Sequence, residues 1–380
     1  MPHGNILFFS TTTGWAACEE LWSQASIDLA QQGFSVSASV SAPLHPRVKI
    51  LKDAGIYISL RPQRYSLWER AWHYAFVRVE TKLVLEFQKA LRETRPQLVI
   101  FSEGLTYPPV ELLELCISRN LPFVTISHKN CDDFWPSDFY AERYRKALSC
   151  ARRCYFVSEA NLRLAEKQIG TELPNAEVVR NPYNTDFNSI LAWPDLDVLR
   201  FACVARLDPG QKGQDLLLEA LAGPAWANRD WHLTLYGDGP VRNSLERLVS
   251  RLGLSNRVTF AGYVNSVAEI WASNHVLTMP SRHEGLPLAM VEAMLCGRPV
   301  LATDVAGHSE IIVDGITGFL VGPPTVAAVA QGLERLWMSR NDLETMGKAG
   351  AKRIRELVPP NPIRVFSEKI KDLMSWRVAA

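Results

Sequence analysis

The sequence predicts an α/β protein with two doubly wound parallel-sheet domains that face a central cleft. Three observations support this prediction. The chain has 380 residues, which is about twice the length of a typical domain of ~150 residues. Short apolar runs bounded by turn residues alternate with longer helical patterns, as is typical of parallel α/β domains. A segment rich in Asn and Pro, residues 181–198, interrupts this alternation and divides the chain into two halves.

In the first half, each predicted strand is a short run of apolar or β-branched residues. Each predicted helix is a longer stretch with apolar residues at spacings of three and four. The predicted strands are Ile6–Ser10, Ser35–Val40, Gln97–Phe101, Phe123–Ser127 and Cys154–Val157. The predicted helices are Glu19–Gln32, Leu67–Glu93, Pro109–Arg119 and Ser137–Ala151.

The same patterns resume after the interruption. The predicted strands are Leu199–Ala205, Trp231–Tyr236, Val258–Phe260, His275–Met279 and Pro299–Thr303. The predicted helices are Gln214–Ala222, Val241–Leu252, Ser266–Trp271 and Pro287–Leu295. In residues 361–380, the spacing of Ile363, Phe366 and Ile370 predicts a last helix, which we expect to pack back on the first domain.

Composition excludes several classes of protein. With 47% hydrophobic and 21% charged residues, the chain is globular rather than disordered. The 41 Lys and Arg side chains are balanced by 40 Asp and Glu, so no overall field attracts nucleic acid. The seven cysteines are odd in number and scattered, which is typical of a reducing compartment. Because we find neither a signal segment nor an apolar run of about 20 residues, we expect a cytoplasmic protein, soluble or at the inner face of the membrane.

The most informative segment for chemistry is S-R-H-E-G-L-P-L-A-M-V-E-A-M-L-C-G-R-P-V, residues 281–300. A predicted strand leads into a polar loop with Glu284, and a helix follows with Pro287 near its first turn. Loop N–H groups and the positive end of a helix can hold an anionic or hydroxyl-rich ligand. Glu292 lies eight residues after Glu284 among apolar neighbours, so this helix is largely buried and the carboxylate needs a partner.

These residues resemble the signature of retaining nucleotide-sugar glycosyltransferases of the GT-B fold, glycosyltransferase family 4. The two acids are separated by seven residues, with Gly-Leu-Pro between them and Cys-Gly-Arg-Pro-Val after them. Further matching segments, in the order of the family, are Val204–Leu207, Gln211–Asp215, Leu235–Pro240, Val258–Val264 and Ile311–Val321. The resemblance covers the second half nearly continuously. In the first half it is limited to the alternation of strands and helices and to a few positions.

The resemblance implies a Rossmann-like acceptor-side domain at 1–180, a linker at 181–198 and a donor-binding domain at 199–360. It also implies roles for single residues. Glu292 would bind the ribose of the nucleotide and Glu284 a hydroxyl of the donor sugar, while Arg206 and Lys212 would stabilise the leaving diphosphate. The remaining predicted donor-site positions are Gly285, Leu286, Pro287 and Leu288, whose loop supplies backbone N–H groups, with Val264 beside the base and Gly14 in the first loop.

Two features of the first half bear on the same site. His128 follows a predicted strand at the position where the family has a His near the transferred sugar. An imidazole satisfied by the backbone is the alternative interpretation. The first loop departs from the family, because Ala16 and Ala17 stand where paired glycines are usual, and a Cβ restricts positive φ and close approach to a ligand.

No metal or other cofactor is expected, because the nucleotide sugar is a substrate and fixed cations can stabilise its leaving group. The one D-x-D pattern near the domain junction, Asp195-Leu196-Asp197, is better explained as a turn.

One stretch has an uneven charge. Between Ser41 and Ile100 there are 11 Lys and Arg against 5 Asp and Glu. Much of this excess lies at Arg61–Arg78, where Trp68, Trp72 and Phe76 share one helical face. Two interpretations stay open: the stripe packs into the first domain, or the segment contacts an anionic membrane that carries a lipid-linked acceptor.

The resemblance therefore implies transfer of a hexose, from UDP-glucose before other donors, to a glycan or lipid-linked acceptor in polysaccharide or glycoconjugate biosynthesis. Three other functions remain. A nucleotide-sugar epimerase has a similar two-domain shape. A protein that binds sugar nucleotides without catalysis is consistent with Ala16 and Ala17. A dinucleotide oxidoreductase needs G-x-G-x-x-G after the first strand, and Gly14-Trp15-Ala16-Ala17-Cys18 does not supply it.

Overall fold

The computed structural model describes residues 3–12, 14–41, 44–61, 79–188, 190–195 and 197–375. It divides the chain into two compact units. Unit 1 consists of Met1–Pro182 and Asn361–Ala380, and unit 2 of Tyr183–Pro360. Each unit contains one parallel sheet, which confirms the predicted fold class.

Unit 1 contains a seven-stranded sheet in the order β3-β2-β1-β4-β5-β6-β7, with every neighbouring pair parallel. Its strands are β1 (Asn5–Ser10), β2 (Ser35–Val40), β3 (Tyr57–Leu60), β4 (Leu98–Glu103), β5 (Phe123–Ser127), β6 (Arg153–Phe156) and β7 (Ala176–Val178). Its helices are α1 (Cys18–Gln31), α2 (Pro46–Asp53), α3 (Val79–Thr94), α4 (Val110–Ser118), α5 (Asp138–Ser149) and α6 (Glu159–Ile169), and α15 (Pro362–Ser375) from the end of the chain.

Both faces of this sheet are covered by helices. Alternate residues of β1 point to opposite faces, so Phe8 packs with Trp22 of α1 in one apolar cluster, whereas Phe9 packs with Phe87 of α3 in another. Burial on both faces explains why β1 and β4 are almost continuously apolar.

The last helix belongs to unit 1. Phe366 and Ile370 of α15 are buried in the same cluster as Phe8, and the Phe366 ring meets the Tyr155 ring edge to face. Ion pairs from Arg364 to Asp28 and from Lys369 to Glu177 lie at the border of this contact.

Unit 2 contains a six-stranded parallel sheet in the order β10-β9-β8-β11-β12-β13. Its strands are β8 (Leu199–Val204), β9 (Trp231–Tyr236), β10 (Val258–Gly262), β11 (Val276–Met279), β12 (Val300–Thr303) and β13 (Gly318–Val321). Its helices are α7 (Pro209–Lys212), α8 (Gln214–Leu221), α9 (Arg242–Arg251), α10 (Val267–Ala272), α11 (Leu288–Leu295), α12 (His308–Ile311), α13 (Val326–Met338) and α14 (Leu343–Leu357).

The segment expected to link the domains is held against unit 2 by a buried arginine. The guanidinium of Arg298 donates to the carbonyl oxygens of Leu191 and Ala192 in this segment, and to that of Trp271 at the end of α10. Burial lowers the pKa of Arg298 to about 10. One side chain therefore satisfies several buried carbonyl groups of irregular backbone.

The structure differs from the sequence prediction at several elements. Pro287 is the residue before α11 rather than its first helical residue, with ψ at 127°. The sequence prediction also omitted the strand β13 and the helices α2, α6, α7, α12, α13 and α14. It further omitted the short strands β3 and β7. These strands have four and three residues and lie at or next to the sheet edge, so they carry little hydrophobic signal.

The basic and aromatic segment largely lies outside the described residues, which resume at Val79. Arg61 itself is described and is buried. Its guanidinium lies over the Phe9 ring, 4.6 Å from the centroid, and donates to the carbonyl oxygen of Ser10. Arg61 is therefore a core residue rather than part of a membrane surface. None of the helices in the described ranges has both the length and the apolarity that a membrane span needs.

We predict that Arg298→Ala lowers the free energy of unfolding by about 3 kcal/mol, because it leaves several buried carbonyl groups without a donor. Urea denaturation followed by circular dichroism measures this change. Arg251→Ala, at an exposed position on α9, is the matched control and should change stability by less than about 0.5 kcal/mol. Equal stability of the two variants would contradict the role assigned to Arg298.

Candidate functional site

The order of strands in unit 2 creates a crevice at one edge of its sheet. β8 and β11 are neighbours, and the chain extends the sheet outward from them in opposite directions. At such a switch point the loops after the two strands part, and ligands of doubly wound sheets bind there, beyond the carboxyl ends of the strands. Arg206 and Lys212 follow β8, and Glu284 follows β11.

Glu284 and Lys212 form a buried ion pair at this switch point. Lys212 Nζ lies 2.6 Å from Glu284 Oε1, and Ser281 Oγ donates to the same oxygen at 2.8 Å. Burial by itself raises the pKa of Glu284, but the charge of Lys212 and these hydrogen bonds outweigh burial and hold the pKa below its ordinary value. Among the described residues, none donates to Glu284 Oε2, so this oxygen is left to accept from a ligand.

The loops that carry this pair are fixed to each other. Arg282 makes two hydrogen bonds to the carboxylate of Asp215, at 2.7 and 2.8 Å, and a third to the carbonyl oxygen of Pro209. Gly213 has φ of +65°, and a Cβ at this position would lie 1.9 Å from the carbonyl oxygen of Pro280. Only glycine allows this close approach, which places Lys212 against Glu284.

The loop after Glu284 presents unpaired donors. The backbone N–H groups of Gly285, Leu286 and Leu288 donate to no other residue in the part of the chain that the structure describes. Pro287 ends this loop, and α11 begins at Leu288. Three N–H groups and a free carboxylate oxygen therefore lie within five residues, a set that can bind hydroxyl and phosphate oxygens.

Glu292 lies further along α11 and is also buried. Its Oε1 accepts from the backbone N–H of Asn184, at 2.9 Å. Burial raises the pKa of Glu292 to about 7, which this hydrogen bond only partly offsets. The predicted need for a partner is thus met by backbone rather than by a cation.

Other predicted positions of unit 2 are less closely associated with Glu284. Arg206 pairs with Asp208 and its side chain is 59% exposed. The loop that holds Arg206 is packed against the Gly-Asp-Gly turn, since a Cβ on Gly239 would lie 2.3 Å from the carbonyl oxygen of Leu207. Val264 is half-buried in the loop after β10, at the edge of the sheet.

In unit 1, His128 follows β5 and is buried. Its backbone N–H donates to the carbonyl oxygen of Glu103, and its Nε2 lies 3.3 Å from Ser102 Oγ. Burial lowers the pKa of His128 to about 4, so the ring is neutral at neutral pH. Among the described residues the ring has no backbone partner and its Nδ1 has no hydrogen-bond partner at all, so the imidazole is not satisfied by the backbone. Its contact with the transferred sugar stays a prediction.

The first loop of unit 1 does not require glycine. Gly14 has a negative φ, and a Cβ would meet nothing within 4 Å. Ala16 and Ala17 accept from the N–H groups of Glu19 and Glu20, and Ala17 has helical dihedral angles. The two alanines therefore lie directly before α1, and neither has a positive φ that would strain a Cβ.

Metal-binding side chains do not gather in the described ranges, where no group of three or more His, Cys, Asp or Glu could hold an ion. Asp195 and Asp197 of the D-x-D pattern are both exposed.

The comparisons with known proteins agree with this geometry. Residues 199–339 match the family model described as glycosyl transferases group 1. Within its second unit, the chain is therefore similar to the group 1 glycosyltransferases.

Two curated relatives are similar to this chain in sequence. The alpha-D-kanosaminyltransferase of Streptomyces kanamyceticus is 33% identical over 172 residues, which is 45% of this chain and 42% of the relative. The GDP-mannose-dependent alpha-(1-6)-phosphatidylinositol monomannoside mannosyltransferase of Mycolicibacterium smegmatis is 34% identical over 159 residues, 39% of this chain and 41% of that relative. The chain thus spans less than half the length of these relatives.

The fold likeness extends over nearly the whole chain. The structure of HepE from Anabaena in complex with UDP has a TM-score of 0.74 and 20% identity, and covers 97% of this chain and 100% of HepE. Its complex with UDP-glucose has a TM-score of 0.72 at the same identity and coverage. At this identity the likeness shows the fold, which is GT-B.

The sequence did not point to His308, which is fully buried on α12. Its Nδ1 lies 2.7 Å from the carbonyl oxygen of Thr303. Because a carbonyl only accepts, Nδ1 carries the proton, and burial lowers the pKa of His308. Nε2 is therefore an acceptor, and it has no partner among the described residues.

The loop before His308 is tied to the Glu284 loop. The N–H of Gly307 donates to the carbonyl oxygen of Gly285 at 3.2 Å, and Ala306 is held at φ of +48°, a strained conformation for a residue with a Cβ. The only signal in the sequence was that His308, like His128, comes after the end of a predicted strand.

We predict that Glu292 makes stability depend on pH. Between its ordinary value of 4.5 and its folded value of about 7, the folded protein keeps a proton that the unfolded chain has lost. The free energy of unfolding should therefore fall as pH rises through this window, by about 3 kcal/mol. Glu292→Gln should lack this contribution, whereas Glu246→Gln on exposed α9 should keep it. Urea denaturation at pH 5 and pH 7.5 measures the difference, and an equal pH effect in all three proteins would contradict it.

Proposed function

We propose that the protein is a retaining, metal-independent glycosyltransferase that moves a hexose from a nucleotide diphosphate sugar to a hydroxyl of a glycan or lipid-linked acceptor. The observation that carries this proposal is the Glu284 and Lys212 pair at the switch point of unit 2, bordered by three unpaired N–H groups. This set combines an acceptor for a sugar hydroxyl with donors and a cation for phosphate oxygens.

In this proposal, unit 2 binds the donor. Glu284 Oε2 accepts from a hydroxyl of the sugar, and Glu292 accepts from the ribose hydroxyls. The N–H groups of Gly285, Leu286 and Leu288 donate to sugar and phosphate oxygens. The remaining donor-binding positions are Pro287, which fixes where α11 begins, Val264 beside the base, and Gly14 of unit 1.

Lys212 and Arg206 stabilise the leaving diphosphate. An ammonium group has three donors, and Glu284 uses one of them, so Lys212 can bind a phosphate oxygen without leaving the ion pair. Arg206 is exposed and paired with a single surface carboxylate, an interaction worth little in water, so it can turn to the diphosphate at small cost.

The reaction joins the acceptor oxygen to the anomeric carbon of the hexose and breaks the bond from that carbon to the diphosphate. The acceptor proton passes to the departing diphosphate, which is the strongest base formed in the step. Attack from the face that the diphosphate leaves retains the configuration. His128, neutral because it is buried, lines the transferred sugar from unit 1 and accepts or donates a hydrogen bond without adding charge.

We further propose UDP-glucose as the donor, with unit 1 as the acceptor side and a role in polysaccharide or glycoconjugate biosynthesis at the cytoplasmic side of the membrane. The HepE complexes with UDP and UDP-glucose support the donor. A mannosyltransferase of a phosphatidylinositol monomannoside among the relatives supports a lipid-linked acceptor. A peripheral membrane contact through the segment up to Arg78 stays a prediction from the sequence.

We predict that the purified protein slowly hydrolyses UDP-glucose to glucose and UDP, faster than GDP-glucose or ADP-glucose, and that EDTA leaves the rate unchanged. Chromatography of the products with donor alone measures this. Release of an epimerised nucleotide sugar would identify an epimerase instead. Absence of both hydrolysis and a thermal shift with all three donors would contradict a donor site, and loss of activity in EDTA would contradict metal independence.

We predict that Lys212→Ala and Glu292→Gln each raise the Kd of the donor by about 10-fold to 100-fold, because each removes a charge-assisted hydrogen bond. Isothermal titration with the nucleotide sugar measures the Kd, and thermal melting reports whether each variant is folded. Lys348→Ala, on exposed α14, is the matched control and should bind like the wild type. Unchanged affinity in both site variants would show that the site has been assigned wrongly.

A further inference from the structure

Unit 1 has its own switch point, and it also contains a buried carboxylate. β1 and β4 are neighbours from which the chain extends the sheet in opposite directions. Ser10 at the end of β1 pairs with Ser102 of β4, and the next residues are Thr11 and Glu103. Glu103 thus lies where a doubly wound sheet binds its ligand, and the reaction described above gives it no role.

The carboxylate of Glu103 is held in place by the loops on both sides of the switch point. Its Oε1 accepts from the backbone N–H of Leu105 at 3.0 Å, and Thr11 Oγ1 donates to Oε2. Both donors lie past the ends of their strands, so the carboxylate lies beyond the sheet edge. Each oxygen has a further lone pair, so Glu103 can accept additional hydrogen bonds.

Burial of a carboxylate at this position has an energetic cost. Glu103 is only 9% exposed, and burial raises its pKa despite these hydrogen bonds and the charge of Arg61. An amide has one acceptor oxygen, so a Gln could accept from Thr11 or from Leu105 in this arrangement, but not from both. The buried Glu19 differs in where its donors lie. Its Oε1 accepts from Ser10 and Thr12 and its Oε2 from Trp22, all within its own loop and helix.

The surroundings of Glu103 are suited to a hydroxylated ligand. The adjacent strand end carries His128, whose backbone N–H donates to the carbonyl oxygen of Glu103. Its neutral ring lies 3.3 Å from Ser102 Oγ. In unit 2 the corresponding strand, β11, leads to Glu284 with its free oxygen. The two units therefore place one buried carboxylate each at the switch point of the sheet.

We propose that Glu103 is an acceptor-binding residue, whose carboxylate accepts a hydrogen bond from a hydroxyl of a sugar acceptor and so orients that acceptor for attack. This inference rests on the proposed function and adds the residue that recognises the second substrate. Glu103 does not change its protonation state in this role, since the acceptor proton leaves with the diphosphate.

The test compares two rates in the same protein. With UDP-glucose as donor, hydrolysis is measured without acceptor, and transfer is measured with glucose, galactose and mannose at high concentration as probe acceptors. Glu103→Gln should lower the ratio of transfer to hydrolysis by about 10-fold or more, because a neutral amide oxygen is a weaker acceptor than a carboxylate. Glu103→Asp, which keeps the charge on a shorter side chain, should recover part of the ratio. Glu172→Gln, at an exposed position of unit 1, should keep the wild-type ratio.

The outcomes separate this inference from the proposed function. A wild-type ratio in Glu103→Gln would overturn the inference, and so would equal losses of transfer and hydrolysis, which would indicate a structural role. If Glu103→Gln does not fold, Glu103→Asp decides by the same ratio. Wild-type protein that hydrolyses UDP-glucose but transfers to none of the three hexoses would overturn sugar recognition by Glu103. Absence of any hydrolysis by the wild type would overturn the proposed function itself, and the inference with it.

Discussion

The ion pair between Lys212 and Glu284 is the interaction on which the site in unit 2 depends. A carboxylate buried this deeply is stable in its charged form only beside a cation, and Lys212 can supply that cation only if two loops meet closely. The bidentate contact of Arg282 with Asp215 and the left-handed backbone of Gly213 bring the loops together. The result is a carboxylate with one oxygen engaged by the protein and the other available to a ligand.

Three buried carboxylates show how surroundings rather than residue type set the charge. The pKa of Glu284 is lowered because a cation is in direct contact. The pKa of Glu292 is raised because the hydrogen bond from the N–H of Asn184 does not offset burial. Glu103 resembles Glu292, with hydrogen bonds and a more distant Arg61 that do not overcome desolvation. The same side chain thus gives one firmly ionised group and two groups whose charge is less favoured.

Burial also sets the charge of two histidines. His128 in unit 1 and His308 in unit 2 are both buried, and burial keeps each ring neutral. A neutral imidazole can accept or donate a hydrogen bond without adding a charge near a diphosphate. In unit 1 the alanines directly before α1 have no positive φ, so ordinary backbone accommodates the departure from the glycine-rich loop of the family.

The sequence by itself determined the fold class, because burial on both faces of a parallel sheet leaves continuous apolar runs that alternate with amphipathic helices. It also predicted Glu284 and Glu292 as site residues from their spacing within one motif, and Lys212 from a separate segment that resembles the family. It did not identify short edge strands such as β3, which bury too little apolar surface to leave a pattern.

Only the tertiary structure decided which residues come together. Lys212 and Glu284 are 72 residues apart in sequence, and Glu103 meets Thr11 across 92 residues. Neither pair has a local signature. Their contact follows from the order of strands, which places loops distant in sequence side by side at the carboxyl edge of each sheet. That order depends on how the helices pack on both faces, and this packing is a property of the folded chain rather than of any segment.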